Sequence, residues 1–381
     1  MLQGIKYISM NESSGYGIAA QRYIEALITA GINLTWAPMV AGRAWKLGYQ
    51  PFSGSHTGNA KLDRYCNRSI EYDTVVIHTV PEYYPYWISR EPNKRYIGYT
   101  VWETDIIPAH WKDLLNLVDQ LIVPCHWNKT VFEQCGVIKP IDILPHLYES
   151  NEITGLTGLA NINPEDYVFY TIGEWTNRKA IWYTVQAYCS AFTSQDRTLL
   201  VIKTTERDLT RKVLRLFYTS SKYALKRIIS QYSSPPKICL ITEALSHQNI
   251  LNLHAIGNCY ISLCRCEGWG LGAYDAARFA KPIIITAYGG QLDYLPPDLA
   301  FLVNYRLLPV VDELRKRSYS GDQHWAEPDL DQATKLMRAV YDNREAAEAR
   351  GRELQKFILN RFDEKSILDK FIDILNKRDV Y

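Results

Sequence analysis

Residues 266–290, CEGWGLGAYDAARFAKPIIITAYGG, set two acids, Glu267 and Asp275, eight positions apart around a run of glycines. Gly268, Gly270 and Gly272 alternate with Trp269 and Leu271. This spacing lets successive backbone N–H groups face one concavity, with no Cβ in the way of a ligand. A helix beginning near Ala273 would add positive partial charge at the same spot and set Asp275 one turn in. Carboxylates accept from sugar or ribose hydroxyls, and backbone N–H groups donate to sugar and phosphate oxygens. Together they suit a nucleoside diphosphate joined to a polyol. After the apolar run PIIIT, Gly289 and Gly290 open a second turn of backbone donors. The plainer alternative is a glycine-rich connection whose acid favours the dipole of the helix that follows.

Other groups with chemistry end apolar runs elsewhere. YTIG stops at Gly173, and Arg178 and Lys179 follow within six residues; LLVIK ends in Lys203. TVVIHT carries His78 near its end, the place of a cleft residue or of a structural hydrogen-bonder. Glu103 follows RYIGYT and VW; it either meets an acceptor hydroxyl or caps the turn 105–108. Gly15 and Gly17, after IKYIS, allow close backbone approach to a ligand. For Arg178 and Lys179 the alternative is ordinary surface charge.

These residues need a scaffold that gathers strand ends. Apolar runs alternate with amphipathic stretches throughout, which predicts an α/β fold. A first series runs through IKYIS, LTWAP, TVVIHT, RYIGYT and QLIVP, with helices at 18–30, 108–117 and 127–135 between them. A second series holds YVFYTIG, LLVIK, ICLIT, CYISL and PIIIT, with a helix from 180 and a long one over 209–231. The final third reads as helical: Leu330, Ala333, Met337, Val340 and Tyr341 share one face, and Ile367, Leu368, Phe371, Ile372 and Leu375 another. The polar stretch 151–165 reads as a linker. The expected domains are two Rossmann-like halves, 1–150 and 166–355, followed by a helix at 356–381. Ligands belong at the carboxyl ends of the strands, in the cleft between two doubly wound halves.

Composition narrows the class. With 381 residues there is core for two domains, and a net charge of +2 argues against a nucleic-acid partner. The eight cysteines are scattered and read as reduced thiols, and no apolar run approaches a membrane span. The expectation is a cytoplasmic protein. The basic stretch with Arg207, Arg211, Lys212, Arg215, Lys222, Lys226 and Arg227 is either a solvated helix face or a peripheral contact with the inner membrane surface. Trp102 and Trp127 read as packing residues.

The stretch EGWGLGAYDAARFAKPIIITAYGGQLDYL resembles the signature region of the retaining GT-B glycosyltransferases of family 4. There, Glu-Gly-aromatic-Gly is followed by a second acid eight residues on, then by a strand ending in Gly-Gly. The resemblance implies that Glu267 faces the donor sugar, that Asp275 binds the ribose and that the backbone of 268–271 holds sugar hydroxyls. Asp275 departs from the usual Glu. YTIGEWTNRKAIWYTVQAYCSAF is similar to the family's strand, Gly-Arg turn, Lys and helix, with Gly173 and Lys179 in register. Glu174 stands where many members carry Arg, so Arg178 or Lys203 would supply the second cation. SSGYGIAAQRYIEAL resembles the first-domain glycine loop, and the 99–137 region that of a bacterial branch. A family His near the place of His78 backs the reacting face.

The resemblance thus implies a two-domain GT-B enzyme, with 1–150 on the acceptor side, 166–355 binding the nucleotide sugar and the helix of 356–381 crossing back to the first domain. It would move a hexosyl unit from a nucleoside diphosphate sugar to a glycan or lipid-linked acceptor. The anomeric configuration is retained, no metal or other cofactor is required, and the setting is cell-surface polysaccharide or glycolipid assembly. Two rivals stand beside it: a nucleotide-sugar epimerase on the same scaffold, and a non-catalytic nucleotide-sugar-binding subunit. Glu174 and Asp275 are the best support for the second. Base, sugar, linkage, acceptor and oligomeric state are not written in these residues.

Overall fold

The computed structural model describes residues 2–42, 48–148, 162–213, 217–312, 314–315 and 317–377. Two compact units emerge. Met1–Trp102, Ile107–Glu149 and Phe362–Tyr381 make one, and Glu103–Ile106 with Ser150–Arg361 the other. Most of the expected linker, residues 151–161, lies outside the described residues.

The first unit is built on seven strands: β1 (Ile5–Met10), β2 (Leu34–Ala41), β3 (Tyr49–Pro51), β4 (Thr74–His78), β5 (Arg95–Tyr99), β6 (Gln120–Val123) and β7 (Ile141–Ile143). Their order is β3-β2-β1-β4-β5-β6-β7, parallel except for β3 against β2. The strands are apolar nearly throughout, because a parallel sheet is covered on both faces. The helix Gly15–Thr29 follows β1. Ser14 caps it, its hydroxyl accepting from Gly17 N, and Gly31 at φ +78° lets the chain leave it. The helix Glu364–Asn376 lays Phe371 edge-on to Tyr23 and Tyr7, at 5.2 and 6.5 Å between ring centres. Arg95 Nη1 donates to Leu375 O at 2.8 Å. Those contacts fix the last helix on the first sheet.

The second unit repeats the plan. Its main sheet joins β8 (Tyr167–Ile172), β9 (Thr198–Lys203), β12 (Lys237–Ile241), β13 (Cys259–Ser262), β14 (Ile283–Thr286) and β15 (Phe301–Val303). The order is β12-β9-β8-β13-β14-β15, all parallel. Counted within each unit, both sheets read 3-2-1-4-5-6 from β3 and from β12, the doubly wound order, with the first unit adding a seventh strand. Two ribbons flank the second sheet: β10 (Arg207–Val213) with β11 (Phe217–Ser220), and β16 (Tyr305–Pro309) with β17 (His324–Pro328). The helix Leu330–Asp342 buries Ala333, Met337 and Val340 in the core beside the helix Ile181–Ala191. Among the described residues no helix is long and apolar enough to cross a membrane.

Three expectations about elements are corrected. The long helix over 209–231 is a β-hairpin followed by the shorter helix Ser221–Ile229. Leu209 N donates to Trp175 O at 2.8 Å, and Asp208 binds Thr210 and Thr219, so the backbone is committed to an extended path. The helix can begin only at its cap, where Ser220 Oγ accepts from Tyr223 N. Of the basic stretch, Arg215 lies outside the described residues. The final third is not wholly helical, since β15, β16 and β17 precede its three helices. The helix expected over 108–117 spans only Trp111–Leu115.

Candidate functional site

In the second unit β8 and β13 are adjacent, and this is where strand order reverses. Ligands of doubly wound sheets bind outside the carboxyl ends at such a switch point. The turn after β8 carries Gly173, Arg178 and Lys179, and the turn after β13 carries Glu267 to Leu271. Arg265 N donates to Arg178 O at 2.8 Å, which ties one turn to the other. Gly173 N donates to Lys203 O at 3.0 Å, so the end of β9 joins them. Gly290 N donates to Glu267 O at 2.8 Å and brings in the turn after β14.

Glu267 is the centre. It is 7% exposed, with Lys179 Nζ on Oε1 and Arg178 Nη1 on Oε2 at 2.9 Å. Burial pushes its carboxyl up, but the two cations more than offset this and hold it below the usual range. It is therefore an ionised carboxylate in a dry place. Arg178 also donates to Cys266 O at 3.1 Å and lies 3.6 Å from Glu103 Oε1. Burial opposes its charge; Glu103 and Glu267 outweigh that and keep it protonated. An acid, a cation, an acid and a second cation thus alternate in one chain: Glu103, Arg178, Glu267, Lys179.

Around this centre the glycines have distinct tasks. Gly270, at φ +87°, precedes the helix Leu271–Arg278. Its carbonyl and that of Trp269 accept from Tyr294 Oη at 2.8 and 2.9 Å. Among the described residues the N–H groups of Gly270 and Leu271 have no acceptor, so two donors remain at the start of this helix. The Trp269 ring is 2% exposed and packs on Tyr274 and Tyr294. Its ring is therefore a packing group. Gly268 lies between Glu267 and this ring. Asp275 is half-buried one turn into the helix, close enough to Tyr260 and Tyr294 to raise their hydroxyls further. Lys203 Nζ donates to Thr204 O at 2.9 Å; burial lowers its pKa and nearby Glu243 opposes that.

The sequence pointed to these groups but missed three neighbours. Tyr319 Oη donates to Glu103 Oε2 at 3.2 Å. His324 donates its backbone N–H to Asp105 at 2.6 Å. Arg315 stands 3.8 Å from the exposed Glu174 carboxylate, so a guanidinium comes from a distant loop to the place where Glu174 follows β8. None of these pairs is local, and only the fold brings them together. Glu103 does not cap the turn 105–108, which Thr104 Oγ1 holds through Ile106 O at 2.9 Å.

In the first unit the switch strands are β1 and β4. Gly17 sits in the first turn of its helix, where a Cβ would come within 2.1 Å of Glu12 O; this glycine is demanded by the close approach of the loop. Gly15 opens the same helix. His78 ends β4 but is 1% exposed. It stacks on Tyr99 at 4.0 Å and shares a 2.8 Å hydrogen bond with Tyr7 Oη. The geometry is that of the structural hydrogen-bonder and does not offer this ring to a substrate.

Burial, aided by nearby His146, holds the His78 pKa well below its usual value. The unfolded chain therefore takes up a proton near pH 6.5 that the folded one refuses. Stability from this group is complete above that pH and is lost as pH falls, by up to about 1.4 kcal/mol per pH unit. We expect the melting temperature to drop between pH 7 and pH 5, and His78→Gln, which cannot titrate, to flatten that slope. An unchanged slope in the variant would assign the loss elsewhere.

No protein-family model matches the chain, and no curated sequence does. Solved structures do. Sucrose-phosphate synthase from Thermosynechococcus elongatus superposes with a TM-score of 0.68 over 98% of both chains, at 14% identity. The Anabaena protein HepE, solved with UDP and glucose, matches at 0.60 over 98% of this chain and 99% of its own, also at 14% identity. WaaG, a glycosyltransferase of lipopolysaccharide biosynthesis, matches at 0.61 over 98% and 100%, at 13%. The fold is GT-B. Within it, both Rossmann-like units keep the strand order described above, and the Glu267 cluster occupies the switch point of the second.

Proposed function

We propose that this GT-B chain is a retaining glycosyltransferase that moves a hexosyl unit from a nucleoside diphosphate sugar to an acceptor hydroxyl. The observation that carries the reading is the buried Glu267 carboxylate, ionised between Lys179 and Arg178 at the switch point. A buried carboxylate kept charged can accept from sugar hydroxyls, and hydroxyl donors arriving there would loosen its hold on the two cations. Lys179 and Arg178 then face the diphosphate as charge develops on the departing oxygen. Arg315, beside Glu174, adds the cation that position 174 lacks, and Lys203 closes the set. With these groups and helix N-termini available to the diphosphate, the reaction is read as metal-independent.

The N–H groups of Gly270 and Leu271 donate to sugar oxygens, and Asp275 accepts from the ribose. The turn of Gly289 and Gly290 holds the Glu267 backbone in place. Glu103, engaged with Arg178 and Tyr319, acts by positioning Arg178. The acceptor oxygen attacks C1 from the face the diphosphate leaves, and a departing phosphate oxygen takes the acceptor's proton. Such a path needs no protein nucleophile, in keeping with a site whose central carboxylate, Glu267, is held between two cations. HepE was solved with UDP and glucose, and WaaG is a glycosyltransferase of lipopolysaccharide biosynthesis; both support a nucleotide-sugar donor and a role in cell-surface glycan or glycolipid assembly, which we place on the cytoplasmic side.

A panel of UDP-, GDP-, ADP- and dTDP-sugars tests this by thermal shift. One base should stabilise the protein, by about 2.7 kcal/mol at a hundredfold excess over Kd. Asp275→Ala should weaken that shift at least fivefold in apparent Kd. Absence of stabilisation by every nucleotide sugar in the panel would sink the donor assignment.

A further inference from the structure

The turn 174–179 has a second face. While Arg178 and Lys179 reach Glu267, Asn177 turns to β10, its Nδ2 donating to Thr210 O at 3.3 Å. There the helices Ile181–Ala191 and Ser221–Ile229 and strand β10 enclose a groove of about 330 Å³. Trp175, Ala224 and Ile228 line its apolar part. Trp182 and Gln186 follow one helix at a spacing of four residues; Tyr223 and Arg227 follow the other at the same spacing, and Gln231 lies just beyond its end. Side chains four apart share a helix face, so each helix presents a row along the groove.

The polar groups of those rows are unspent. Among the described residues, the side chains of Trp182, Gln186, Tyr223, Arg227 and Gln231 make no hydrogen bond or ion pair within the protein. Asp208, by contrast, is 4% exposed and already committed to Thr210 and Thr219. The groove thus offers an indole and an amide from one helix, and a phenol and a guanidinium from the other, with the Gln231 amide just past its end. Its charged lining is one engaged carboxylate and one cation.

We infer that this groove binds a neutral oligosaccharide. A pyranose has a flat C–H face that lies on an aromatic ring and a rim of hydroxyls that each donate and accept. Amides answer both requirements of that rim, which a site built for phosphate would not need. The volume is at the lower end for small-molecule sites and fits one or two sugar rings of a longer chain. A phosphorylated ligand would want several cations here, and an apolar peptide would offer these five polar side chains only its backbone groups, where a pyranose offers a hydroxyl at nearly every ring carbon. That the groove holds a glycan acceptor or product while transfer proceeds rests on the transferase reading; the binding itself does not.

The test uses the full-length protein and neutral tetrasaccharides of α-1,4-, β-1,4-, β-1,3- and α-1,6-linked glucose and of α-linked mannose. Saturation-transfer NMR and titration of tryptophan fluorescence give the affinity. At least one tetrasaccharide should bind with a Kd below about 5 mM. Trp182→Ala and Tyr223→Ala should each weaken it at least fivefold. Tyr223 is 53% exposed, so its variant is expected to keep the wild-type melting temperature. Both variants should retain the wild-type thermal shift with nucleotide sugar, which separates the groove from the Glu267 site. If no tetrasaccharide binds, or binding survives both substitutions, the groove assignment is overturned even if nucleotide-sugar binding stands. If glycan binds and responds to both variants while no nucleotide sugar does, the groove stands and the transferase reading falls.

Discussion

Lys179→Ala is expected to lower kcat about 10²- to 10³-fold, the loss that follows removal of one group aimed at developing charge. Lys179 Nζ reaches a carboxylate that is 7% exposed, and Arg178 alone would then neutralise it. A charged hydrogen bond is lost inside the protein, so stability should fall as well, by about 2 kcal/mol. The carboxyl's pKa will rise toward its ordinary value. In the wild type its contribution to stability is present above the usual carboxylate range and lost as pH falls through the depressed value; in the variant that loss begins at higher pH. The double variant Lys179→Ala/Glu267→Gln separates the two effects. A neutral amide at 267 needs no cation, though Arg178 then keeps only Glu103, so part of the stability returns while activity does not. Steady-state kinetics with the preferred donor, together with melting temperatures, would decide. Activity within fivefold of wild type in the single variant would remove Lys179 from the chemistry.

Much of this site could be read from the chain because its parts are local. Glu267, Gly268 and Gly270 fall within one turn and Gly272 opens the helix that follows, so the residue types required by backbone donors and a helix start are printed side by side. The strands were legible for a similar reason: CYISL and PIIIT are buried on both faces and so are apolar without alternation. What could not be read is what the fold adds from afar. Glu103 and Arg178 are 75 positions apart in sequence, and Arg315 reaches Glu174 from farther still. His78 looked like a cleft residue because it ends a strand, yet Tyr7, Tyr99 and nearby Tyr23, from three other elements, enclose it. The stretch 207–220 failed differently. Leu209 and Val213 stand at helical spacing, and only the pairing of β10 with β11 and the bond from Leu209 N to Trp175 O reveal an extended chain. Local pattern could not outweigh a tertiary contact.

Gly289→Ala is expected to cost about 2–6 kcal/mol of stability and to reduce kcat/KM about 100-fold in the protein that still folds. Two terms add. Gly289 has φ +113° and ψ −166°, a region that side chains scarcely visit, at a cost of about 1–3 kcal/mol. Its new Cβ would also stand 2.5 Å from Glu267 O and 3.1 Å from Glu267 N. Both are backbone atoms, so no rotamer change relieves the clash, and overpacking of this kind costs about 1–3 kcal/mol more. The relief available is for the turn to move away, which breaks the 2.8 Å bond from Gly290 N to Glu267 O and shifts the carboxylate from its cations. Gly31→Ala is the control. Gly31 also has positive φ, +78°, but nothing lies within 4 Å of the added Cβ. It should lose only the strain, about 1–2 kcal/mol, and keep its activity. If the two variants lose equal stability and both stay active, the contact between the Gly289 turn and Glu267 is not what positions the carboxylate.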